Sequence, residues 1–140
     1  MIYLDNMLRQ HTSIHEDINY LISEIEKDSK EIDATEAALI INRLAGRLKI
    51  HMLEEDKFLY PDLINNADAK VKSLANQYIS EMGNLANEYT HFKSEYNTAK
   101  KIQDKPDTFI IEAKKIIHAL MNRMNKEDNE LYAFIQEKKL

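Results

Sequence analysis

The chain has 140 residues, 44% of them hydrophobic, enough for a single compact domain spanning residues 1–140. It contains no cysteine, which excludes disulfides, thiolate-bound zinc and thiol nucleophiles. With 19 basic and 24 acidic residues it is mildly acidic, and no basic run interleaved with aromatics offers a nucleic-acid surface.

Only 2 Gly and 2 Pro accompany 31% charged residues, a balance that favours long helices with solvated outer faces and predicts an all-α fold. The N-terminal MIYLDNMLRQH carries charged residues early, and no apolar run reaches the length of a membrane span or a signal core, so a cytoplasmic protein with no membrane partner is expected. The first helix is predicted from about residue 4 into the high twenties, on the stripe Leu4, Leu8, His11, His15, Ile18, Ile22 and Ile25. Asp33 with Glu36 three residues later forms a capping box for the second helix, whose stripe Ala37, Ile40, Leu44, Leu48, His51, Glu55 and Phe58 continues to Pro61. Asn65, Asn66 and Asp68 make the next turn and cap. A long third helix follows on Val71, Leu74, Tyr78, Met82, Leu85, Tyr89, Phe92 and Tyr96. Pro106 and Asp107 open the fourth, with Phe109, Ala113, Ile116, Leu120, Met124, Glu127, Leu131 and Phe134 on one side. Helices of this length with short links predict an antiparallel up-down-up-down four-helix bundle, whose core can build metal sites from facing helices.

Several polar residues fall on these apolar stripes. At about 100° per residue, His11 and His15 lie inward on the first helix, His51 and Glu55 are central on the second, Glu127 lies between Met124 and Leu131, and Glu81 flanks Tyr78 and Met82. In an up-down-up-down bundle all of them fall in one half of the molecule. His118 faces solvent. His91 lies opposite the third helix's stripe and about 15 Å farther along a straight helix than Glu81. A short internal echo relates HMLEEDKFLY to RMNKEDNELY, aligning Glu55 with Glu127 and His51 with Arg123.

One histidine on an apolar face is ordinarily a hydrogen-bonded core residue, and a network of His–Glu pairs is the alternative for the whole group. Three histidines and three carboxylates at one level would leave buried charge uncompensated without a cation, so a metal site is expected at His11, His15, His51, Glu55, Glu81 and Glu127. Imidazole and carboxylate without thiolate suit iron, manganese or zinc, and the donors outnumber what one tetrahedral zinc can use. A pair of irons bridged by Glu55 and Glu127 is the expectation, with the histidines and Glu81 as terminal ligands.

These blocks resemble the hemerythrin-like family, the HHE cation-binding domain, over nearly the whole chain: LRQHTSI, LAGRLKIHMLEEDKFLYPDL, ISEMGNLANEY and RMNKEDNELY. The resemblance implies a bundle holding a non-haem di-iron centre that binds O2, peroxide or a related small ligand, in transport, sensing, iron handling or protection from oxidative or nitrosative stress. The family's first-helix histidine matches His11, its second-helix pair His51 and Glu55, and its last-helix carboxylate Glu127. Oxygen-carrying hemerythrins place a His-x-x-x-His pair on the third helix and a His with Asp five residues later on the fourth; here stand Glu81, and Arg123 five residues after His118. Where some relatives have a histidine four residues before the last-helix glutamate, Arg123 intervenes again. A carboxylate-rich site favours oxygen or peroxide activation over reversible O2 carriage. The competing readings are a redox enzyme on the same residues, a peroxidase or iron oxidase, and a metal-free helical scaffold or signalling module. Gly46 and Gly83 are expected on outward faces at matching heights, where they could mark a homodimer contact.

Overall fold

The computed structural model describes residues Met1–Leu140 and is all-α. Its helices are α1 (Asp5–Ile25), α2 (Ala34–Phe58), α3 (Tyr60–Ile64), α4 (Ala69–Tyr96), α5 (Ala99–Asp104), α6 (Pro106–Lys126) and α7 (Tyr132–Lys138). A 3₁₀ turn at Ser29–Glu31 and a π turn at Glu127–Leu131 complete them. The starts follow the local chemistry. The Asp33 side chain accepts from the Glu36 amide and the Asp68 side chain from that of Lys70, each satisfying an orphan N–H at a gain of about 1 kcal/mol. Pro106, which has no N–H to offer, sits in the first turn of α6.

α1 packs against α2 and α6, and α4 packs against the same two helices. The cross-links fix the directions. Gln10 meets His51, Asp17 meets Arg43 and Glu24 meets the Asp33 amide, so α1 and α2 run antiparallel. Tyr78 and Glu81 lie beside Lys126 while Phe92 and Tyr96 stack on Phe109, so α4 and α6 do too. No helix is long and apolar enough to cross a membrane.

The apolar core has two parts. One, around Ile14, Leu44, Tyr96, Phe109 and Leu120, fills the end of the bundle where α5 closes the link between α4 and α6. The other, around Met7, Leu59, Leu63, Tyr78 and Leu131, lies at the end where both chain termini meet through the Ile2 amide and the Leu140 carbonyl. Between them the stripes turn polar: His11 follows Met7 and precedes Ile14, His51 lies between Leu48 and Leu59, and Glu127 lies between Met124 and Leu131.

Several expectations are corrected. The buried stripe of α1 is Leu4, Met7, His11, Ile14, Ile18, Leu21 and Ile25; Leu8 is exposed, and Ile22 and His15 sit at its edge. α2 stops at Phe58, which is exposed, and a break at Leu59 restarts the chain as α3. The fourth helix is interrupted by the π turn. Gly46 is exposed and Gly83 half-buried at the rim of a surface cavity, and a Cβ at either would meet open space.

Candidate metal centre

Three elements deliver the donors. α1 supplies His11, α2 supplies His51 and Glu55 one turn apart, and the π turn supplies Glu127; all four are buried. His11 Nε2 lies 2.9 Å from Glu127 Oε1 and 2.9 Å from His51 Nε2. His51 Nε2 lies 3.1 Å from Glu127 Oε1 and 3.3 Å from Glu55 Oε1. The donor atoms of His11, His51 and Glu127 fall within 4.8 Å of one another, close enough to hold one ion.

The far nitrogen of each imidazole is held as a metal-binding histidine needs. His11 Nδ1 lies 2.7 Å from Asp128 Oδ1 and His51 Nδ1 lies 2.9 Å from Gln10 Oε1. An acceptor at Nδ1 keeps the proton there and turns the Nε2 lone pair toward the centre. Tyr132 completes the wall: its hydroxyl donates to Glu55 Oε2 at 2.8 Å and lies 3.2 Å from His11 Nε2 and from Glu127 Oε1. The π turn makes that reach possible. The Tyr132 amide bonds to the Glu127 carbonyl, five residues back, and the widened turn buries Glu127, Leu131 and Tyr132 together.

Burial, and then the charge of Glu127, push the Glu55 carboxyl well above the ordinary carboxylate value. Burial alone would raise Glu127 as well, but its contacts with the His11 and His51 rings and the charge of Arg123 outweigh burial and hold its pKa well below the ordinary carboxylate value. Burial opposes charge on His11, yet Glu127 and Asp128 prevail and raise its pKa; at His51 burial prevails and lowers it. Two imidazoles and two carboxylates thus converge in one buried space, and a divalent ion bound there would displace whatever protons they hold.

Arg123 lies on the far side of Glu127, buried, with Nε 2.5 Å from Glu127 Oε2. Its Nη2 donates to the Tyr78 carbonyl at 2.9 Å and to the Tyr60 hydroxyl at 3.2 Å, and its guanidinium lies 4.5 Å over the Tyr78 ring.

The structure thus brings His11, His51, Glu55 and Glu127 together and leaves two expected ligands apart. His15 is 27% exposed and reaches only Asp128, at 3.4 Å. Glu81 is 44% exposed and pairs with Lys126 at 3.1 Å, with Gln77 and Lys126 lowering its pKa. Both sit at the edge of a helical stripe, where a wheel drawn from sequence cannot decide between core and solvent. His91 and His118 are exposed, as expected. Sequence reasoning missed Gln10, Asp128 and Tyr132. The echo carried a signal for Tyr132, because it pairs Tyr60 with Tyr132, each five residues beyond its glutamate.

An all-α bundle with a buried cluster of imidazoles and carboxylates from facing elements defines the class of helical cation-binding proteins. The hemerythrin HHE cation binding domain matches residues 3–135, and the chain belongs to that family. No curated protein and no solved structure matches it.

Proposed function

We propose that this protein binds iron through His11, His51, Glu55 and Glu127 and there binds, or reacts with, O2 or a related small molecule, in sensing, iron handling or oxidative or nitrosative stress. The observation that carries the reading is the convergence of His11 Nε2, His51 Nε2 and Glu127 Oε1 at one buried point, with Asp128 and Gln10 holding the opposite face of each ring. The donor set fits a cation of borderline hardness. Iron supplies redox change and affinity for O2, peroxide or nitric oxide.

The chain's own residues set the terms. Asp128 and Gln10 fix the rings; Glu55 Oε2 and the Tyr132 hydroxyl hold a proton beside the donors; and all four donors are themselves buried, which keeps bulk water out. Glu55 also borders a cavity of about 190 Å³ between α2 and α4, lined by Met52, Tyr60, Ile79, Met82 and Gly83. That space suits a ligand of a few atoms. Tyr132 favours a second reading, a peroxidase or iron oxidase, because a phenol within 3.2 Å of both His11 and Glu127 can deliver a proton to a bound oxidant.

Anaerobic titration of metal-free protein with Fe(II), followed by O2, peroxide or nitric oxide, tests the proposal. Saturable binding and a ligand-dependent absorption change are expected, and turnover with peroxide or excess Fe(II) would select the enzyme. Protein that takes up no Fe(II), or bound iron indifferent to all three ligands, would refute it.

A further inference from the structure

We infer that the Arg123 guanidinium occupies the place of a second metal ion, so that the site holds one cation rather than a carboxylate-bridged pair. The inference rests on the metal-binding reading above and replaces the expectation of two irons.

The internal echo supplies the first argument. HMLEEDKFLY and RMNKEDNELY set His51, Glu55 and Tyr60 against Arg123, Glu127 and Tyr132. In space the two halves keep the same local relation. His51 Nε2 touches Glu55 Oε1 from four residues back, and Arg123 Nε touches Glu127 Oε2 from four residues back. Tyr132 turns its hydroxyl to the imidazole half, and Tyr60 turns its hydroxyl to the arginine. Arg123 therefore stands where the second half of a two-metal site would need a ligand, and a guanidinium is a permanent cation without an acceptor lone pair.

The division of Glu127 is the second argument. A carboxylate bridging two metals offers an oxygen to each. Here Oε1 faces His11, His51 and Tyr132, while Oε2 is bonded to Arg123. The guanidinium is fixed there by the Tyr78 carbonyl, the Tyr60 hydroxyl and the Tyr78 ring, and only 5% of its side chain is exposed.

Donors for a second ion are also too few. On the Arg123 side, α4 buries Tyr78 and Met82 and offers no imidazole; its one carboxylate, Glu81, is 44% exposed and has its Oε2 already between Lys126 Nζ at 3.1 Å and Arg123 Nη1 at 3.6 Å. His15 reaches only Asp128, at 3.4 Å, behind the His11 ring. A second divalent ion would also lie beside a buried fixed positive charge, with too few ligands to offset the repulsion.

The test is to load metal-free protein with excess Fe(II) without oxygen, oxidise it, remove unbound iron, and measure iron per chain together with the EPR spectrum. The expected result is about one iron per chain with the signal of an isolated high-spin ferric ion. About two irons per chain in an EPR-silent coupled pair would overturn the inference while leaving the metal reading intact. Protein retaining no iron would remove the metal reading itself, and the inference with it. Arg123→His restores an imidazole at the echo position, and its iron content should rise toward about two per chain with loss of the isolated signal; Arg123→Lys, which keeps the charge, should stay near one. Folded Arg123→His protein that stays at one would show that Arg123 is not what excludes the second ion. If that variant does not fold, the wild-type stoichiometry decides alone.

Discussion

Two carboxylates in this bundle are buried against arginines, and their surroundings differ in a telling way. Asp17 on α1 is fully buried, yet its Oδ1 accepts from Arg43 at 2.6 Å and from Arg47 at 2.9 Å, side chains that keep 45% and 30% of their own surface in water. That cluster sets two arginines against one carboxylate, and although Asp17 Oδ2 is buried without a partner, no second acceptor converges on it. Glu127 has a single arginine and shares its pocket with Glu55, His11 and His51, so acceptors outnumber fixed positive charges and protons have to bridge them. A buried charge alone does not mark a binding site. A surplus of convergent acceptors does.

The comparison breaks most visibly at Glu127. Glu127→Gln removes a ligand and strands a buried guanidinium, so metal affinity should fall more than 100-fold and metal-free stability by about 3–5 kcal/mol, read by metal titration and by denaturant unfolding. Next in size are the residues behind the rings: Gln10→Ala or Asp128→Ala should weaken metal binding about 10–100-fold while the fold persists. Asp17→Asn sharpens the contrast from the other side. It should cost about 2 kcal/mol of stability, because its arginines can rehydrate, and leave metal content unchanged.

The pH dependence of the metal-free protein separates the two glutamates. Glu55 has a raised pKa in the folded state, so its contribution is fully present below the ordinary value of 4.5 and is lost as pH rises through the raised value. Glu127 has a depressed pKa, so its contribution is present above 4.5 and is lost as pH falls through the lowered value. Glu55→Gln should therefore flatten stability against pH above 4.5 and leave the acid limb in place, as measured by thermal unfolding across pH. The smallest effects belong to His15→Ala and Glu81→Gln, which touch no donor of the centre and should leave metal content at the wild-type level.

Much of this was legible in the sequence where a residue's own chemistry settles its neighbourhood. Asp33 with Glu36, Asp68 and Pro106 mark helix starts through local capping, and each start fell where those residues put it. His11, His51, Glu55 and Glu127 were legible because each lies near the centre of an apolar stripe, where no rotation of the helix takes it to solvent. His15 and Glu81 lie at stripe edges, and their placement depends on partners from other helices, Asp128 and Lys126, which periodicity does not see. Tyr132 was hidden by the π turn: on a regular α-helix it sits about 140° from Glu127, and only the extra residue in the turn swings it inward. Asp17 shows the converse. It reads as surface from its charge, and two arginines from α2 are what allow its burial.

The central claim, that the surplus of acceptors between α1, α2 and the π turn is a cation site, meets its most direct test in the metal content of untagged protein purified from iron-supplemented cells. The account predicts bound iron at a fixed ratio to the chain, absent from Glu127→Gln and retained by Asp17→Asn. Folded wild-type protein that emerges metal-free and refuses iron on reconstitution would contradict it, and would leave the four residues as a proton-sharing core network.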